Sequence, residues 1–174
     1  MNSHIRPETA ADYTAVYTIN AKAFTQDGEA KLVAALRHNK DAFIPELSLV
    51  AVKGTEVIGY ILFTKISIVS IDQKIFESLA LAPVAVDPEY QQQGIGKALI
   101  QYGLDKAKAL GYASVIVLGH EAYYPKFGFV PAVKWQIKAP FEVPENAFMG
   151  LELIPGSLTN VSGTVRYARE FDNV

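Results

Sequence analysis

The stretch from Leu79 to Gly111 constrains the fold more than any other part of the chain. It reads Leu-Ala-Leu-Ala-Pro-Val-Ala-Val, then Asp-Pro-Glu-Tyr, then Gln-Gln-Gln-Gly-Ile-Gly-Lys-Ala-Leu-Ile, and continues as a helical pattern that stops at Gly111. The opening apolar run, β-branched towards its end, reads as a buried strand. Asp87-Pro88 is turn chemistry, and the proline pushes Asp87 out of the helical region. Gly94 and Gly96 then open a helix and leave the backbone there open to close approach. The first amides of such a helix lack internal partners and point outward with the positive end of its dipole. Strand, turn and helix start together make an anion site, most naturally for a pyrophosphate.

Pro83 lies inside the strand and cannot donate to a ladder, so a central strand should be bulged or unpaired there; the plainer alternative is an edge strand. The helix after Gly96 presents Ala98, Leu99, Tyr102, Leu104, Ala107 and Leu110. Ser114 to Leu118 is a short apolar strand. Strand, helix and strand of these lengths form a right-handed parallel unit.

Upstream, His4-Ile5-Arg6 is a short strand stopped by Pro7. Thr9 caps a helix that runs to about Phe24, with Tyr13, Val16, Tyr17, Asn20 and Phe24 at helical spacing. Asp27-Gly28 breaks the chain before a second amphipathic helix through Lys31, Leu32, Ala35 and Leu36. Leu47 to Val52 is a strand, and Lys53-Gly54-Thr55-Glu56 a tight turn. Val57 to Ile71 and Ile75 to Val86 make a long hairpin around Asp72-Gln73-Lys74. Its inner halves are apolar on both faces, as in a sheet covered by helices. Downstream, Tyr123 to Phe129 reads as a helical turn broken by Pro125. Val133 to Ile137 and Phe148 to Leu153 read as strands around a proline-flanked loop from Ala139 to Asn146, and Val165 to Tyr167 adds one more.

Composition narrows the function. A chain of 174 residues, half of them hydrophobic and a fifth charged, suits one domain with a substantial core. A net charge of −2 argues against a nucleic-acid partner held by its phosphates. The chain has no cysteine, which excludes disulfides, a thiol nucleophile and thiolate metal sites. The three histidines are scattered and no metal site is expected. No signal sequence or membrane-length apolar run is visible, so a cytoplasmic protein without a membrane partner is expected. A dinucleotide-fold reading fails because Leu99 occupies the third glycine position. A P-loop reading fails because Gln91 and Ala98 stand where Gly and Ser or Thr are needed.

Gln91-x-x-Gly94-x-Gly96, after a strand ending Val84-Ala85-Val86-Asp87, resembles the acetyl-coenzyme A signature of the GNAT superfamily of N-acetyltransferases. Tyr124-Pro125-Lys126-Phe127-Gly128-Phe129 resembles that family's downstream Tyr-x-x-x-Gly-Phe and follows the next strand at the expected distance. The resemblance covers roughly residues 5–130. It implies an α/β (α+β) acyl-CoA N-acyltransferase fold, a mixed central sheet with a splayed parallel strand pair flanked by helices. It also implies one domain over 1–174, with a core of about 5–130 and C-terminal strands and an acceptor-side loop over 131–174.

The implied donor is acetyl-CoA. Main-chain groups of Val84, Ala85 and Val86 would pair with its pantetheine arm, those of Val84 and Val86 near the thioester, and Gln91, Gln92, Gln93, Gly94, Ile95, Gly96 and Lys97 would hold its pyrophosphate. Gln91 brings no charge where some relatives have Arg, so Lys97 is the candidate for it. Tyr124 corresponds to the tyrosine placed beside the coenzyme sulfur, where a phenol can protonate the leaving thiolate; the alternative is an aromatic packed on the sheet. Where some relatives have a strand glutamate as base, this chain has Ala80. Glu77, His120 and Glu121 remain as candidates, the imidazole being suited to the task, alongside a relay through solvent. Asp27 and Glu29 could grip a cationic amine or simply favour a helix start.

The implied reaction is direct transfer to a primary amine of a small molecule or peptide in a ternary complex. The alternative from another class is a non-catalytic acetyl-CoA-binding sensor or regulatory module. The loop around Phe141, Val143 and Phe148 reads first as core or as a contact in a homodimer, and second as surface for an acceptor with apolar character.

Overall fold

The computed structural model describes residues 3–174. The chain divides into two compact units. One comprises the chain up to Thr64, Ala82–Lys106 and Arg169–Val174, and the other Lys65–Leu81 and Ala107–Ala168. Two long strands and one helix pass through both.

In the first unit, β1 (Ser3–Pro7) pairs antiparallel with β2 (Phe43–Lys53), which pairs antiparallel with β3 (Glu56–Val69). The last part of β4 (Ile75–Val86) lies beside β3. Three helices accompany them: α1 (Tyr13–Phe24), α2 (Gly28–Leu36) and α3 (Ile95–Ala109). β2 starts earlier than the expected Leu47, because its register shifts between Phe43 and Ser48 and absorbs Pro45.

Thr9 does precede a helical start, but the first turn, Ala10–Asp12, is a 3-10 turn. Asp12 accepts the Thr9 N–H at 2.7 Å and the Arg6 fork at 2.7 and 3.1 Å. The buried face of α1 is Val16, Ile19 and Asn20. Tyr13 and Tyr17, expected on that face, are exposed, since the stripe runs one step round the helix from the aromatic positions. In α3 the buried residues include Ile95, Leu99, Ile100, Leu104 and Ala107, whereas Ala98, Tyr102 and Leu110 are exposed. Gly103 of α3 permits close packing: a Cβ there would lie 2.2 Å from Cε1 of Phe63 on β3.

A buried polar group joins the residue after β1, the residue after α2, β2 and β3. Glu8 accepts Nε and an Nη of Arg37 at 3.0 and 2.8 Å, and the Ser48 hydroxyl at 2.7 Å. Ser48 and Tyr60 share a hydroxyl hydrogen bond of 2.7 Å. The Arg37 guanidinium covers the Tyr13 ring at 3.8 Å. Burial, reinforced by the Glu8 charge, pushes the Tyr60 phenol well above its usual range.

In the second unit, the first part of β4 runs parallel to β5 (Ser114–Leu118), with Leu79 opposite Val115 and Ala80 opposite Ile116. Just before these pairs, the buried hydroxyls of Ser78 and Ser114 meet at 2.7 Å. β5 pairs antiparallel with β8 (Phe148–Glu152), which also pairs with the two-residue β6 (Val130–Pro131). β9 (Gly163–Arg166) pairs with the outer part of β3 and runs parallel to β7 (Ile137–Lys138). Ile66, Ile68, Ala80, Ile116, Phe148 and Val165 belong to the core beneath them.

The strand expected over Val133–Ile137 is instead a 3-10 turn, Ala132–Trp135, followed by Gln136 at φ 58° and then β7. The alternation of Val133, Trp135 and Ile137 imitates a strand, but only Ile137 is buried. Pro125 does not break the helical turn; it is the second residue of the 3-10 turn Tyr124–Phe127, inside the first turn, where the missing N–H costs nothing. Among the described residues, no helix is long and apolar enough to cross a membrane.

Candidate active site

The first unit carries the strand end, turn and helix start. The parallel ladder of β4 stops at Ala80, and the strand continues for six residues through the cis Ala82–Pro83 peptide to Val86. Asp87 N–H then bonds the Ile58 carbonyl on β3 at 2.9 Å. Backbone groups alternate along a strand, so Val84 and Val86 turn theirs to the edge away from β3, and Ala85 turns its own towards β3. The Gln91 side-chain amide donates to the Val86 carbonyl at 3.1 Å. Gln91 thus ties the turn to the strand end, on the side to which the Val86 N–H also points. The Asp87 carboxylate accepts the Glu89 N–H at 3.0 Å and closes the turn Pro88–Tyr90.

Gln92 and Gly94 have φ of 63° and 84°. These left-handed residues swing the chain into α3, whose first hydrogen bond runs from Ala98 N–H to the Gly94 carbonyl at 3.0 Å. The N–H groups of Ile95, Gly96 and Lys97 precede it and have no helical acceptor. A Cβ on Gly94 would meet nothing within 4 Å. The glycine is therefore required by its backbone angle, and the space beside it is free of protein. Gln91, Gln92, Gln93, Gly94 and Lys97 are exposed, while Gly96 is half-buried. Open space, free amides and a helix dipole with a lysine beside it suit a phosphate group, so the residues present fit a pyrophosphate-bearing coenzyme.

The second unit carries Tyr124. The N–H groups of Tyr123 and Tyr124 bond the His120 carbonyl at 3.0 and 3.3 Å, which curls the chain after β5. The Tyr124 ring is 8% exposed and meets the rings of Tyr123 and Phe129 edge-on, at 5.2 and 5.7 Å between centroids. Burial, with a smaller contribution from Tyr123, pushes its phenol up to about 12, so the hydroxyl keeps its proton at neutral pH. On its other side the ring lies over Gly119, where a Cβ would fall 2.2 Å from Cε2. Gly119 was not legible as a site residue, because its role is defined by a ring five positions on.

The other candidates are not gathered around a proton-transfer path. Glu77, His120 and Glu121 are exposed, and His120 Nδ1 accepts the Ala122 N–H at 3.2 Å. Among the described residues, no hydrogen bond joins any of them to the Tyr124 hydroxyl. Asp27 pairs with Lys31 at 3.1 Å, and Glu29 accepts the Gln26 amide at 3.1 Å; both serve the start of α2. Phe141, Val143 and Phe148 line a cavity of about 690 Å³. Phe148 is buried, whereas Phe141 is half-exposed and stacks on Tyr167 at 6.1 Å and 19°.

Residues 13–129 match the model of the acetyltransferase (GNAT) family. The chain is 35% identical to the uncharacterised N-acetyltransferase YhbS of Escherichia coli strain K12 over 169 residues, covering 97% of this chain and 98% of that protein. The crystal structure of Escherichia coli YhbS in complex with CoA superposes with a TM-score of 0.89 at 33% identity, covering 99% of this chain and 93% of the other. A GNAT family acetyltransferase from Brucella melitensis, solved in complex with acetyl-CoA, gives a TM-score of 0.79 at 30% identity, with coverage of 98% and 99%. With its mixed sheet, its β4–β5 parallel pair and its glycine-opened helix, the chain belongs to the GNAT family of N-acetyltransferases.

Proposed function

We propose that this chain binds acetyl-CoA and transfers the acetyl group directly to a primary amine of a small molecule or peptide. The observation that carries the reading is the free edge of β4 after Ala80, followed by the open space beside Gly94 at the start of α3. CoA in YhbS and acetyl-CoA in the Brucella protein support the choice of coenzyme.

Acetyl-CoA supplies the activated thioester. The N–H groups of Ile95, Gly96 and Lys97 bind its pyrophosphate, with the Lys97 ammonium adding the charge that Gln91 lacks. Gln92, Gln93 and Gly94 shape the loop around it. Val84 and Val86 offer backbone donors along the free edge, placed to polarise a carbonyl as charge develops on its oxygen. Ala85 holds this edge against β3. Tyr124 keeps a proton at its hydroxyl for the departing sulfur and regains one from solvent. The incoming amine loses its proton to solvent, since Glu77, His120 and Glu121 all face water. Without a cysteine, transfer proceeds in a ternary complex. The chain acts as one catalytic domain in the cytoplasm, with no nucleic-acid or membrane partner.

The test is a melting-temperature titration with acetyl-CoA, paired with free-thiol release against a panel of amines. Saturating acetyl-CoA raises the melting temperature by mass action. Tyr124→Phe lowers turnover and leaves coenzyme affinity intact. No thermal shift refutes the reading. Binding without thiol release from any amine replaces transfer with sensing.

A further inference from the structure

The cavity lined by the loop after β7 has a volume of about 690 Å³, within the range of small-molecule pockets. Its walls are mainly apolar, with Val133, Ile137, Phe141, Val143 and Phe148 contributing. Three charged side chains also line it: Lys138, Glu142 and Glu145. Among the described residues, no ion pair joins these three, so the residues around the cavity bring two carboxylates and one ammonium.

The cavity is coupled to the proton donor by backbone hydrogen bonds. Ala147 N–H bonds the Pro144 carbonyl at 3.0 Å, which fixes the turn bearing Glu145. The Ala147 carbonyl accepts the Gly119 N–H at 2.9 Å, and Phe148 pairs with Leu118. Gly119 is the residue on which the Tyr124 ring rests. One hydrogen-bonded piece therefore holds both the cavity wall and the phenol. Phe141, stacked on Tyr167, stands half-exposed in the wall, so an apolar group can enter without displacing a core residue.

We infer that this cavity receives the body of the acceptor, and that the acceptor is an arylalkyl amine without a carboxylate of its own. This inference rests on the acetyl-transfer reading above. Flat apolar side chains complement an aromatic ring, and the excess of lining carboxylates disfavours an anionic companion group on the amine. Phosphorylated and amino-acid acceptors are therefore disfavoured.

Thiol release from acetyl-CoA is measured with 2-phenylethylamine, phenylalanine and ethanolamine, and saturation-transfer NMR follows 2-phenylethylamine binding without coenzyme. The expected KM for 2-phenylethylamine is about tenfold below those of phenylalanine and ethanolamine. Val143→Trp fills the cavity, removes the saturation-transfer signal and draws the 2-phenylethylamine and ethanolamine KM values together, while the thermal shift with acetyl-CoA persists. Phe141→Ala, at a half-exposed position, checks the same ratio if Val143→Trp does not fold. Glu142→Gln combined with Glu145→Gln narrows the gap between 2-phenylethylamine and phenylalanine. Equal KM values for the three amines in the native protein, or unchanged ratios in the variants, overturn the inference while the coenzyme shift still stands. A missing coenzyme shift defeats the acetyl-transfer reading instead, and the NMR signal then reports on the cavity alone.

Discussion

Gly119→Ala tests how the candidate acid is positioned. The added methyl carbon would lie 2.2 Å from Cε2, 2.7 Å from Cδ2 and 3.2 Å from Cζ of Tyr124. Carbon atoms rest at about 3.5–4.0 Å, so the ring must retreat by more than about 1 Å. It has little room to do so, because it is 8% exposed and abuts Tyr123 and Phe129. Overpacking of this kind costs about 1–3 kcal/mol, which for a chain this size lowers the melting temperature by about 2–4 °C per kcal/mol. A misplacement of about 1 Å in a catalytic group lowers turnover by about 10²-fold. The assay is a double-mutant cycle in thermal melts: native, Gly119→Ala, Tyr124→Ala and the pair, with thiol release on the first two. Removing the ring should relieve most of the cost of the methyl group, while the acetyl-CoA thermal shift persists in all four. An equal loss of stability with and without the ring would refute the clash, and unchanged turnover in Gly119→Ala would remove Tyr124 from the mechanism.

Three further outcomes are expected. Gly94→Val places a β-branched residue at φ 84°, at a cost of about 1–3 kcal/mol, and fills the space beside the loop; the acetyl-CoA thermal shift should vanish while circular dichroism stays native. Arg6 holds the Asp12 carboxyl at about 2, below its ordinary 3.8 and against the opposing effect of burial. The depressed value contributes stability above about pH 4 that is lost as pH falls towards 2. It amounts to about 1–2 kcal/mol once the solvent around Arg6 is allowed for, and Asp12→Asn should flatten the acid limb of a urea-melt pH series. Glu8→Ala leaves the Arg37 guanidinium, 11% exposed, without its partner; a loss of about 3–5 kcal/mol in urea melts is expected, and one below about 1 kcal/mol would show that water restores the missing contacts.

The parts legible in the sequence are those whose signal is local. The hairpin partner Ile75–Val86, the turn at Asp87-Pro88, the helix after Gly94 and the strand Ser114–Leu118 each carry their own period and punctuation, and the structure has them within a residue or two. The second half of the chain is less legible, because Val133, Trp135 and Ile137 alternate like a strand while Gln136 adopts a left-handed turn. The buried faces of α1 and α3 leave out Tyr13, Tyr17, Tyr102 and Leu110, because aromatic or apolar character does not by itself mean burial. Gly119, the tie from Gln91 to Val86, and the Glu8–Arg37–Ser48–Tyr60 group depend on which residues meet in space. Glu8 and Arg37 lie 29 positions apart, and no spacing rule reaches that far.

The hydroxyl pair between Ser78 and Ser114 acts as an alignment mark. Around it, Leu79 and Ala80 face Val115 and Ile116, apolar side chains on both strands, so that hydrophobicity alone would tolerate a slip of two residues. A slip would strand both hydroxyls among aliphatic neighbours, at a cost of about 1–3 kcal/mol each. The alignment also fixes where the ladder shared with β5 ends, and so how many residues of β4 follow it before Val86. Two buried serines thus set how much of β4 lies beyond the shared ladder.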